Sequence, residues 1–158
     1  MPALRTILHP TDFSRHSEYA LDLAYSLARD YGAEVVLLHV IPPAVTYEEF
    51  VVRRRPDGEY DQLWRRLRGL QQPADGLSVQ PRLEEGEPAP VITQVARDTA
   101  ADLIVMGTHR RTGFPRLLLG SVAEKVLRTA PCPVLTLKAP AGEILEKAPA
   151  AETCAPQG

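Results

Sequence analysis

Cysteine is scarce in this chain. Cys132 and Cys154 are the only two, they form no Cys-x-x-Cys pair, and no histidine cluster stands near either, which argues against a disulfide framework and a structural zinc site. Long apolar runs are missing as well. The longest, 35–38 and 103–106, fall far short of the ~20 residues that span a bilayer, so neither a transmembrane helix nor a membrane partner is expected. The opening Met1-Pro2-Ala3-Leu4-Arg5 lacks the charged-then-apolar layout of a secretion signal, and a cytoplasmic location is the expectation. Charge of one sign is not in excess: 18 basic and 20 acidic residues leave a formal net charge of -2, against a surface built throughout for nucleic acid. Aromatics are few, so Arg53, Arg54, Arg55, Arg65, Arg66 and Arg68 lack the interleaved rings that stack bases. These arginines read as a solvated helix face, with RNA or an acidic surface as the alternative.

What is present is a chain of 158 residues, a length that fits one domain, in which short apolar runs alternate with helical stripes. Residues 4–9 read as a buried strand. Over 14–31, Ala20, Leu23, Ala24, Leu27 and Ala28 recur on one helical face, and Gly32 stands where a helix end favours glycine. Residues 34–41 are continuous and β-branched, as in a strand covered on both faces, until Pro42 and Pro43 end it. No clean period marks 44–58, a loop or a frayed helix. Tyr60, Leu63, Trp64, Leu67 and Leu70 then predict a helix over 59–71, and 77–83 another strand. Gly86-Glu87-Pro88-Ala89-Pro90 opens a third helix with Val91, Ile92, Val95, Ala96 and Thr99 on one side. Residues 101–107 form a compact strand, and Ser121 with Glu124 makes a Ser-x-x-Glu capping box at the head of a fourth helix. That helix turns Val122, Ala123, Val126, Leu127 and Ala130 inward. After Pro131-Cys132-Pro133 a last strand runs from Val134 to Lys138. Beyond it Ala, Pro, Glu and Gly follow without period, so 1–138 reads as the domain and 139–158 as a mobile tail.

Strands alternating with helices imply an α/β fold, an open doubly wound five-stranded parallel sheet with helices on both faces. Ligands of such sheets lie beyond the carboxyl ends of the strands where strand order reverses, which directs attention to the loops after His9, Ile41 and Met106. In the first loop Asp12 suits a ribose hydroxyl or a base amine, and Asp12 or Ser14 equally suits a helix cap. In the long loop, Gly107, Gly113 and Gly120 let main-chain N–H groups approach an anion, and Gly120-Ser121 sits at a helix N-terminus that favours phosphate. His109, Arg110, Arg111 and Arg116 add positive charge. The alternative is that these glycines serve turn geometry, the serine only caps and the arginines face water. The Walker pattern Gly-x-x-x-x-Gly-Lys-Ser/Thr is absent. His9 and His39 fall at strands and read as satisfied core histidines.

Pro-Thr-Asp-Phe-Ser at Pro10 to Ser14, Leu-His-Val at Leu38 to Val40, Gly86-Glu87-Pro88, Ala101 to Gly107 and Leu117 to Leu127 occur together. With these motifs the chain resembles the universal stress protein family over residues 3–138. The resemblance implies strand order 3-2-1-4-5 and a homodimer through the last strand, Val134 to Lys138. It implies ATP or another adenine nucleotide (ADP, AMP) as ligand, with Mg accompanying ATP. Pro10, Thr11 and Asp12 would then meet adenine and ribose, and Val40 would offer main-chain groups to adenine. Met106, Gly107, His109, Gly113, Gly120, Ser121 and Val122 would line the phosphate side. Members that bind ATP carry Gly-x-x-Gly and, nine residues later, Gly-Ser or Gly-Thr, and here the second glycine is Arg110. A left-handed backbone there would cost roughly 1–2 kcal/mol. A guanidinium on phosphate returns roughly 1.5–3 kcal/mol. Nucleotide binding with an altered phosphate preference is therefore expected, with Arg110 in the site.

The function expected is that of a stress-response regulatory protein whose ligand state modulates dimer or partner interactions. The alternative is a nucleotide-free dimeric interaction module in which Arg110 closes the pocket. No catalytic residue is singled out and no acidic pair marks a metal site in the loop, so at most slow ATP hydrolysis is expected.

Overall fold

Residues 3–43, 56–71, 76–108 and 120–140 are described by a computed structural model of the 158-residue chain. The elements run β1 (Thr6–Pro10), α1 (Arg15–Tyr31), β2 (Glu34–Ile41), α2 (Glu59–Gly69), β3 (Val79–Glu85), α3 (Pro88–Asp98), β4 (Leu103–Gly107), α4 (Ser121–Thr129) and β5 (Val134–Leu137). All strand pairs are parallel, in the order β3-β2-β1-β4-β5. The doubly wound sheet and the strand order expected from the sequence are both observed.

Alternation along the strands divides the core. Leu8, Val36, Leu38, Val40, Ile104 and Met106 meet α3 and α4 on one face, and Ile7, Val35, Leu37 and Val105 meet α1 and α2 on the other. Full burial of each Ile or Leu here contributes roughly 1.5–3 kcal/mol. On α1 the buried stripe is Ala20, Leu21, Ala24, Tyr25 and Ala28. Leu21 and Tyr25 join the expected stripe as its most buried large side chains, Tyr25 burying its ring while its hydroxyl donates to the Leu70 carbonyl at 2.8 Å, whereas Leu27 packs on the rim of the same core and Leu23 is half-buried. Gly32 closes the helix at φ 66, as its position predicts.

Several element ends shift by one or two residues from expectation, β1 to Thr6–Pro10, α2 to Glu59–Gly69, β4 to Leu103–Gly107 and β5 to Val134–Leu137 among them, and three features have an identifiable cause. Edge strand β3 runs to Glu85 rather than 83, because its ladder follows β2 from Val35–Val79 to Ile41–Glu85. The Gly86 amide then donates to the Ile41 carbonyl. The capping box at α4 does not form: Gly120 is the N-cap, Ser121 is the first helical residue, and no side chain caps the helix. With that start Glu124 lies one position too far along to reach back, and it accepts from Arg128 at 2.7 Å instead. Ala139, assigned to the tail, is buried at 4% exposure. The rest of the expected tail, from 141 on, lies outside the described residues.

The amino end of the sheet is fastened by Asp102. Its carboxylate accepts from the amides of Arg5 at 2.8 Å and Thr6 at 3.0 Å, which lowers its pKa. Its own N–H donates to the Thr6 carbonyl.

Candidate functional site

Strand order reverses at β1, which lies between β2 and β4. The Thr11 amide donates to Leu38 of β2 at 2.8 Å, so Pro10, one residue earlier, faces β4, because successive residues of a parallel strand address alternate neighbours. Proline has no N–H to give. Pairing of β1 with β4 stops at Ile7–Leu103 and Leu8–Ile104, whereas pairing with β2 continues to Pro10. Beyond the last pair, the Val105 carbonyl accepts a hydrogen bond from His9 Nδ1–H at 2.8 Å.

His9 is fully buried, and burial lowers its pKa to about 4 against the opposing effects of the Val105 bond and the Asp12 charge. A carbonyl only accepts, so the neutral ring carries its proton on Nδ1 and leaves a lone pair on Nε2. That nitrogen has no partner among the described residues. The expected satisfied core histidine is therefore satisfied at Nδ1 alone. His39, half-buried and likewise lowered by burial, donates from Nδ1 to the Thr11 carbonyl at 2.8 Å.

The loop that follows β1 has a defined chain of hydroxyl protons. Ser17 Oγ donates to the Ser14 carbonyl at 2.9 Å, so across the 3.0 Å between the Thr11 and Ser17 hydroxyls Thr11 is the donor. Thr11 Oγ1 in turn accepts from the Phe13 amide at 3.1 Å. The Thr11 side chain is buried and its hydroxyl proton is engaged within the protein. Phe13 adopts φ 61, a left-handed backbone, with its ring centroid 4.4 Å from that of His39 and the Arg66 guanidinium 4.1 Å above it. Ser14, not Asp12, is the N-cap of α1. Asp12 Oδ1 accepts from the Ser14 amide at 2.9 Å, and the carboxylate is exposed at the mouth of the crevice.

The Val40 side chain is buried, yet its main-chain groups suit the opening. Leu38 turns its carbonyl toward β1, so Val40, two residues on, does the same where β1 has already left the sheet. Across the crevice Met106 is buried in the core beside α3 and α4. Gly107 has a packing cause: a β-carbon there would fall 2.8 Å from the Ser17 amide nitrogen and closer still to the His16 carbonyl. Thr108 donates to the Leu137 carbonyl from both its amide, at 2.7 Å, and its hydroxyl, at 3.2 Å. His109, Arg110 and Gly113 lie outside the described residues. Gly120, Ser121 and Val122 form the uncapped head of α4. Lys125 ties that helix to Glu87, before α3, at 2.7 Å.

Among the described residues no group of three or more His, Cys, Asp or Glu could hold a metal ion, and no helix is long and apolar enough to cross a membrane. Sequence reasoning missed Ser17, because a serine in the first turn of a helix reads as local capping and its cross-loop bond has no sequence signature.

The sequence profile of the universal stress protein family matches residues 3–138. The chain belongs to the universal stress protein family. Universal stress protein MJ0531 of Methanocaldococcus jannaschii is 35% identical over 149 residues, covering 88% of this chain and 85% of that protein. A universal stress protein of Thermus aquaticus is 35% identical over 144 residues, covering 85% and 98%. Among solved structures, that of MJ0577 from Methanocaldococcus jannaschii superposes with a TM-score of 0.74 at 31% identity, over 88% of this universal stress protein and 99% of that chain. Two more distant structures, both at 24% identity, share the fold: a universal stress protein in complex with cAMP (TM-score 0.68, covering 85% and 97%) and one from Archaeoglobus fulgidus in complex with dAMP (TM-score 0.63, covering 86% and 98%).

Proposed function

We propose that this protein binds an adenine nucleotide in the crevice between the carboxyl ends of β1 and β4, and that the bound state alters contacts made by the edge strand β5. The observation that carries the reading is the head of α4, where no side chain caps the helix. Its first-turn N–H groups and the positive end of the helix dipole are suited to a phosphate. A serine that only capped the helix would have occupied those donors.

The other groups have complementary chemistry. The exposed Asp12 carboxylate accepts from ribose hydroxyls beside Pro10 and Thr11, and Val40 presents main-chain groups to the adenine edge. Met106, Gly107, Gly120, Ser121 and Val122 line the phosphate side, together with His109, Arg110 and Gly113. Arg110 supplies a charged donor where the nucleotide-binding members carry a glycine, shifting the preference among ATP, ADP and AMP. Mg, when it accompanies ATP, neutralises phosphate charge. The family structures solved with cAMP and dAMP support an adenylate as the ligand class. No residue is assigned to catalysis.

The homodimer forms through β5 in this reading. Leu135 on that strand is exposed at 38%, an apolar side chain on an unpaired sheet edge; Leu127 of α4, expected to turn inward, is instead exposed at 44%. Denaturing the purified protein and identifying released small molecules by mass spectrometry, followed by calorimetric titration with ATP, ADP and AMP, tests the ligand. Heat of binding is expected with native protein and none with Gly120→Val, whose branched side chain obstructs phosphate. Binding by Gly120→Val at native strength would overturn the loop assignment, and a native protein without heat or released nucleotide would favour the nucleotide-free module.

A further inference from the structure

We infer that Ser17 is the positioning residue that holds Asp12 at the nucleotide crevice. The inference rests on the nucleotide reading above and adds a residue outside the motif positions. Ser17 is 4% exposed, in the first turn of α1. Its hydroxyl stands at the centre of the loop, donating to the Ser14 carbonyl at 2.9 Å and accepting from Thr11 at 3.0 Å.

Each bond leads toward Asp12. Thr11, with its proton turned toward Ser17, presents its oxygen to the Phe13 amide at 3.1 Å and so supports the left-handed Phe13 that follows Asp12. Ser14, held at its carbonyl by Ser17, offers the amide that Asp12 Oδ1 accepts at 2.9 Å. Both flanks of Asp12 thus meet one buried hydroxyl, which shares the Ser14 carbonyl with the Glu18 amide at 2.9 Å. The Ser17 backbone also meets the opposite wall, because the missing side chain of Gly107 leaves room for the Ser17 amide and the His16 carbonyl. One turn of α1 therefore sets the loop after β1 against the end of β4, and the hydroxyl fixes the half that carries Asp12.

Alanine at 17 keeps the helix and the fit to Gly107 but removes the acceptor for Thr11 and the donor to Ser14. The test is calorimetric titration of the full chain with adenosine and with ATP, using native protein, Ser17→Ala, Asp12→Ala and the double variant, each checked by thermal unfolding. Ser17→Ala is expected to weaken adenosine about tenfold, to leave the ratio of ATP to adenosine affinity unchanged, and to add no loss in the Asp12→Ala background. A purely structural role would persist in that background. Native affinity in Ser17→Ala, or a loss that survives Asp12→Ala, overturns the inference while the nucleotide reading stands. A native protein that takes neither ligand overturns the nucleotide reading and this inference with it. Should Ser17→Ala not fold, Thr11→Val breaks the same bond from its other end and is read against Asp12→Ala in the same way.

Discussion

His9 donates its Nδ1 proton to the carbonyl oxygen of Val105 across 2.8 Å, beside the ladder position where Pro10 has no N–H to offer. A side chain thus completes a main-chain ladder, and the ring that does so is buried and neutral. With a folded pKa of about 4 against 6.5 when unfolded, the unfolded chain binds more protons between those values. The stabilisation from His9 is therefore complete above pH 6.5 and is lost as pH falls toward 4, amounting to about 3 kcal/mol. Urea unfolding at a series of pH values checks this: the difference in stability between native protein and His9→Gln should shrink on acidification. A difference independent of pH would show that His9 is not held neutral.

Gly107→Ala should destabilise by roughly 1–3 kcal/mol through overpacking against the α1 backbone. The obstacle is main chain at His16 and Ser17, which cannot swing aside. Gly32→Ala is the comparison, since nothing lies near its added carbon and only φ 66 opposes it, a cost of about 1 kcal/mol. Thermal unfolding of the two variants decides whether Gly107 is kept for steric room; equal native stability in Gly107→Ala would refute that cause.

Asp102→Asn should cost roughly 1 kcal/mol near neutral pH, discounted for partial exposure, by weakening the bonds to the Arg5 and Thr6 amides. The folded pKa lies below 3.8, so the contribution is present above that value and disappears as pH falls through the folded pKa. Unfolding midpoints of native and variant protein should converge on acidification, and a constant gap would point to a cause other than the carboxylate charge.

Under the proposed homodimer through β5, Leu135→Arg should leave monomers, because a charge replaces the apolar side chain of the exposed edge strand. Sedimentation velocity at several protein concentrations reads the outcome. An unchanged dimer would move the subunit contact away from β5.

Much of this architecture is readable in the residues. Strand β2 has its expected bounds, Glu34–Ile41, because burial on both faces makes every position apolar except Glu34 and His39. Edge strand β3 was offset, since its polar residues carry no two-sided burial and its extent is dictated by its neighbour. The α4 capping box failed for a different reason: Ser121 and Glu124 have the right spacing, but the helix begins one residue too early relative to that pattern. Candidate residues can be named from the sequence where glycine, proline or carboxylate chemistry is local, as at Asp12 and Gly120. Ser17 and the His9–Val105 bond depend on which main-chain groups a distant strand leaves unmatched, a property of the assembled sheet.

Thr108 places both of its donors on the single carbonyl of Leu137, the last residue of the outermost strand. A chain cut short before Leu137 would forfeit that shared oxygen, releasing the end of β4 at the same stroke as it shortens β5. Under the proposed nucleotide site and β5 dimer, truncation from the C-terminal side is thus expected to injure ligand capture and self-association together.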